Sequence, residues 1–150
     1  MDRRGRPELK LLRLFVEVLA PLALGSAIYL LLRPAGLAVF GWVRSLGLAG
    51  ALQSLREPLG PVADASPDWL LYSLPDALWT YALTASMGWI WAGRWTGTAW
   101  IWLGLGLLIG CGGEALQALG ILPGTADPVD VLLCGLAGAL ALLRAHRSWS

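Results

Sequence analysis

The acidic and amide side chains of this chain gather where apolar runs begin and end. Glu114 and Gln117 stand three residues apart and so share one helix face, and Asp127 and Asp130 repeat that spacing ahead of the last apolar run. Asp76 lies near the start of an earlier run. Carboxylates so grouped can accept hydrogen bonds from a polar headgroup, a lipid-linked glycan or a partner protein. They can also titrate in a proton- or cation-coupled pathway, or work as acid and base on an ester or phosphate. Nothing supplies a nucleophile with its base: Ser, Thr and Cys occur without a neighbouring histidine, and the sole histidine, His146, lies near the carboxyl end. No nucleophile elbow, P-loop, HExxH or Rossmann pattern is present, so no enzyme class is implied and no cofactor is expected. Cys111 and Cys134 sit inside apolar runs without CxxC spacing. They read as small buried hydrophobes, with no metal site.

Local structure offers its own account of some of these residues. Asp127 followed by Pro128 is the pattern of a helix start, a capping carboxylate with proline at the first helical position. Asp130 would then favour the positive helix end, and Ser73 with Asp76 fits a capping box around Pro75. For these three, capping and a site role stand side by side. Glu114 and Gln117 lie far from their own helix start, which leaves a functional role or an interhelical hydrogen bond. Glu114 sits roughly 8 Å below the end of its run at 1.5 Å per residue, and an ionisable group at such depth is by default a functional candidate. Glu17, four residues after Arg13, is placed for a helix ion pair.

The elements that position these groups are membrane helices. The chain of 150 residues is 57% hydrophobic and 14% charged, against about a quarter charged in a soluble domain, and its mean hydropathy is +0.64. One all-α bundle over residues 1–150 follows. A formal net charge of +1, without a basic aromatic surface, excludes nucleic acid. Four stretches approach the roughly 20 apolar residues that a span requires: Leu11 to Leu32, kinked at Pro21; Leu70 to Trp91; Thr98 to Leu119; and a short one, Val129 to Leu143. Met1 to Lys10 is basic, but the run after it is too long for a signal-peptide core, so it is expected to stay as the first span. Ala35 to Leu55, interrupted by Arg44, Gln53 and several glycines, reads as an amphipathic helix on the membrane surface or over the bundle, with a fifth span as the alternative. Gly106 with Gly110, and Gly135 with Gly138, predict close helix packing.

Arg3, Arg4, Arg6, Lys10 and Arg13, then Arg94, then Arg144 and Arg147 all fall on one side of a four-span layout. Positive charge is retained in the cytoplasm, so both termini are expected there. Only Arg33, Arg44 and Arg56 fall outside. Trp89, Trp91, Trp95, Trp100 and Trp102 bracket Arg94 as an aromatic belt on the cytoplasmic side. Asp76, Glu114, Gln117, Asp127 and Asp130 then converge on the opposite, extracytoplasmic side.

The stretch "GEALQALGILPGTADPVDVLLCGLAGALALL", Gly113 to Leu143, resembles the carboxyl-terminal signature of VanZ-like membrane proteins, where a glutamate and glutamine end one span, a Pro-Gly turn follows and paired aspartates open the next. Glu114, Gln117, Pro123, Gly124, Asp127 and Asp130 match, and "LPDALWTYALT" with Asp76 resembles the family's earlier span. The chain departs from the pattern at Thr125, where arginine is usual, at Thr80 or Tyr81 for a histidine, and around Cys134 for an asparagine. The resemblance implies a divergent VanZ-like protein of the bacterial plasma membrane with a cell-envelope role. Its partners would be membrane lipids, a lipid-linked envelope precursor or another membrane protein. A transport component and a non-catalytic scaffold are the competing readings.

Overall fold

The computed structural model describes residues 7–34, 38–91, 94–121 and 127–149, and among these the chain is all-helical. The first rod joins α1 (Pro7–Leu14), a π-helical turn (Phe15–Leu19) and α2 (Ala20–Leu32). Pro21 has no N–H to give the Glu17 carbonyl, and the wide turn sits immediately before it, with the Ala20 N–H reaching back to the Phe15 carbonyl. Two further helices, α8 (Gly97–Ala118) and α9 (Pro128–Trp149), complete a set of three stretches that, among the described residues, are long and apolar enough to cross a membrane. The last of these does not stop at Leu143 as its apolar residues suggest, because the helix continues through Arg144, His146 and Arg147.

The fourth long helix, α7 (Ser73–Trp91), has nineteen residues but is not among those three. Its place in the bundle explains its composition. It packs against α2, α8 and α9 at once, and Ser73, Thr80, Tyr81 and Thr84 are buried along it. A helix covered by other helices meets little lipid, so hydroxyls and small residues are tolerated there. Its neighbours present the greasy surface instead: Leu22 and Leu24 on α2, Ile101, Leu108 and Ile109 on α8, and Leu132, Leu136 and Leu140 on α9 are all exposed on the protein surface.

Glycine sets how closely the helices approach. A methyl group built on Gly110 would overlap the side chain of Thr80, and one on Gly106 would lie 3.1 Å from Thr84 Oγ1, so α8 rides directly on the threonine face of α7. On the other side of α7, Gly88 faces Ala145 of α9. Gly138 meets Leu107, whereas Gly135 faces open space, so only one member of that expected pair records packing. These contacts make α7 and α9 parallel, with α8 antiparallel to both. Tyr81, Ala85 and Ala141 form the buried centre, with Val18 and Ala137 packed against it.

The segment expected to form one amphipathic helix is broken in two. The structure has α3 (Ala38–Ser45) and α4 (Ala49–Arg56), with Gly47 between them at φ +72°, a conformation that glycine adopts without a Cβ penalty. Eight residues make about 12 Å of helix, so neither piece can be a fifth span; residues 35–37 lie outside the described set. A 3₁₀ turn (Glu57–Leu59), α5 (Gly60–Ala65) and α6 (Asp68–Leu71) lead into α7.

Candidate functional site

One end of the bundle is built from the start of α7, the end of α8 and the start of α9. At α8 the chain turns through Gly120, at φ +70°, whose N–H donates to the Gln117 carbonyl while the Ile121 N–H donates to that of Leu116. This Schellman arrangement stops the helix one turn after Glu114. At α9, Asp127 Oδ1 accepts from the Val129 N–H at 2.8 Å, with Pro128 first in the helix, so Asp127 is the N-cap that its sequence context suggests.

Glu114 makes a hydrogen bond to another helix, the alternative to a functional role that its sequence position leaves open. Its Oε2 accepts the Asp127 backbone N–H at 2.9 Å, so it caps the next helix rather than its own. Asp76 has a partner outside its own helix: its carboxylate faces Arg33, with Arg33 Nη2 at 3.6 Å from Asp76 Oδ2.

Asp76, Glu114, Gln117, Asp127 and Asp130 line a single cavity of about 570 Å³. All five sequence candidates are thus brought together. Arg33, Asp68, Tyr72 and Ser73 complete the wall. With five carboxylates against one guanidinium, the cavity has a formal charge of −4 when all are ionised. The guanidinium is moreover committed to the protein. Arg33 Nε donates to the Leu71 carbonyl at 2.7 Å, Nη2 donates to the Tyr72 carbonyl, and the group lies 4.5 Å and 5.2 Å from the Tyr29 and Tyr72 ring centres. Arg56 in turn donates to the Leu30 and Arg33 carbonyls, closing the end of α2.

Asp130 differs from its neighbours. Its Oδ1 is shielded from solvent, yet among the described residues no donor reaches it. A carboxylate oxygen without a donor away from water is costly, and Asp130 is at the same time one of the residues that line the cavity.

Arg33, Asp68 and Tyr72 are site residues that sequence reasoning missed, Arg33 being placed only among the charges outside the cytoplasmic set. For Arg33 the available signal was its position at the end of an apolar run on the same side as the carboxylates, where an unpaired charge would be expensive. Pro123 and Gly124, the expected turn, and Thr125 lie outside the described residues.

The opposite end carries the aromatic residues. Glu17 lies in the π-helical turn, where its Oε2 accepts the Trp89 indole N–H across the bundle at 3.1 Å, and among the described residues no ion pair joins it to Arg13. The Trp95 ring lies 5.4 Å from those of Trp100 and His146, and Arg144 donates to Tyr81 Oη at 3.4 Å. Cys134 is fully buried and Cys111 half-buried, both as free thiols. No known protein family, curated protein or solved structure matches the chain.

Proposed function

We propose that this chain is a VanZ-like, multi-pass protein of the bacterial plasma membrane that uses its acid-lined cavity to bind a polar headgroup, as part of a cell-envelope role. In this reading α7 is a fourth span, sheltered from lipid by α2, α8 and α9. Both termini are cytoplasmic, the cavity faces outward, and α3 and α4 lie at the outer surface with Trp42 and Leu46 in the headgroup zone.

The observation that carries the reading is the convergence of Asp68, Asp76, Glu114, Asp127 and Asp130 on one cavity whose single guanidinium, Arg33, is already engaged by the protein. Arg33–Asp76 and Glu114 with the Asp127 N–H hold the wall in shape, and a ligand would meet the carboxylate oxygens that face the cavity. The acidic balance favours a headgroup that donates hydrogen bonds, such as an amine or a sugar, over a bare phosphate.

Those same internal pairs favour a second reading, a scaffold whose polar groups only lock helices together. Asp130→Asn separates the two. Binding of short-chain lipids and glycolipids to purified protein in detergent is measured beside its melting temperature. Lost binding at unchanged melting supports a headgroup site; unchanged binding with lowered melting leaves the scaffold.

A further inference from the structure

Below the polar cavity a second hollow of about 300 Å³ runs between α7 and α8, lined by Trp79, Leu83, Ile109, Gly110 and Gly113. Asp76, Glu114 and Gln117 line both hollows, so the two share a wall and form one continuous recess, acidic at its end and largely apolar along the helices. Ile109 is 60% exposed on the outer face of α8, which places the groove on the side of the bundle that lipid covers. Its width owes much to residue 113. A methyl group built on Gly113 meets nothing within 4 Å, so a side chain there would project into the groove instead of into α7.

We infer that this recess seats a single membrane lipid from the side, with a chain in the α7–α8 groove and a primary ammonium headgroup in the acidic cavity. The inference rests on the proposed headgroup site and names its ligand class. Charge complementarity selects the headgroup. A cavity of formal charge −4 repels an anionic lipid, and its one guanidinium is already engaged with Asp76 and two carbonyls. The five carboxylates of the wall offer hydrogen-bond acceptors. A primary ammonium brings both positive charge and three N–H donors, whereas a quaternary ammonium brings charge without a donor.

The test reconstitutes the full chain in vesicles of equal phosphatidylethanolamine, phosphatidylcholine and phosphatidylglycerol, then extracts it gently and counts retained lipids by native mass spectrometry. The three lipids share the phosphate, so the comparison isolates the terminal group. Phosphatidylethanolamine should be retained at least about fivefold over either other lipid, a difference of roughly 1 kcal/mol. Gly113→Phe should abolish retention, and Gly112→Phe, whose side chain also meets open space but lies off the groove, should keep it. Asp130→Asn should erase the preference.

If Gly113→Phe retains lipid like the parent while Asp130→Asn does not, the groove is wrong and the headgroup site survives. If Gly113→Phe releases lipid and Asp130→Asn keeps the preference, the ammonium assignment and the headgroup site both fall. Equal retention of the three lipids by the parent protein also overturns the inference.

Discussion

Arg33 Nη2 stands 3.6 Å from Asp76 Oδ2, joining the end of α2 to the first turn of α7 between residues 43 positions apart in the chain, of which residues 35–37 lie outside the described set. The guanidinium is buried and also satisfies the Leu71 and Tyr72 carbonyls, so it is the pin of this end of the bundle. Asp76 is about a third exposed, which weakens its share through solvent screening.

Arg33→Leu should therefore be the more damaging half of the pair. It strands two carbonyls and a carboxylate, for a loss of about 2–4 kcal/mol. Asp76→Asn keeps an acceptor for Arg33 and should lose about 1 kcal/mol or less. Thermal melting of both variants in the same detergent checks the ranking, and equal losses would contradict it.

Gly110 and Gly113 lie on the same helix and answer opposite demands. Alanine at 110 collides with the side chain of Thr80, whose branching leaves it little room to turn aside, and should lower stability by about 1–3 kcal/mol. Gly110→Ala with Thr80→Gly should recover part of that loss, because the obstruction is Thr80 itself. Alanine at 113 meets nothing and should leave stability unchanged or raise it by up to about 1 kcal/mol through reduced backbone entropy in the unfolded chain. Melting curves of the three variants against the parent decide the matter.

Asp127 and Asp130 have the same spacing as Glu114 and Gln117 and both stand at the start of α9, yet their roles divide. Asp127→Ala removes an N-cap bond to Val129 and should lower stability by about 1 kcal/mol. Asp130→Ala removes an oxygen that has no donor and should be neutral or stabilising. Paired melting curves test this, and a larger loss at Asp130 than at Asp127 would refute the assignment.

The convergence of Asp76, Glu114, Gln117, Asp127 and Asp130 is legible in the sequence, because carboxylates at the ends of apolar runs have few places to go. Arg33 is not, since a single arginine at a helix end serves topology and ion pairing alike, and only the three-dimensional approach of α7 distinguishes them. That Glu114 bonds to another helix is one of the two roles its position leaves open, but its partner, the Asp127 N–H, is hidden, because hydrogen bonds between helices leave no periodicity in sequence. The length of α9 exceeds its apolar run because apolar content locates the lipid-facing part of a helix and not its hydrogen-bonded end. The break at Gly47 has a signal, glycine between two short apolar segments, but glycine also occurs at Gly41 and Gly50 within the helices on either side.

Orientation is testable with the residues that mark the two ends. In a background with Cys111 and Cys134 replaced by alanine, single cysteines at Asp64, exposed on α5 four residues before the cavity-lining Asp68, and at Gly97, exposed at the start of α8, are to report the two ends of the bundle. Gly97 has open space around its Cβ position, so the substitution should not disturb packing. A membrane-impermeant maleimide added to intact cells should label Asp64→Cys and spare Gly97→Cys until the membrane is permeabilised. That pattern follows if Arg13, Arg94 and Arg144 are held in the cytoplasm by the same rule that leaves Arg33 and Arg56 free to pair outside it. The reverse pattern would put the acidic cavity in the cytosol and end the envelope reading, while labelling of both sites in intact cells would mean that α7 does not span.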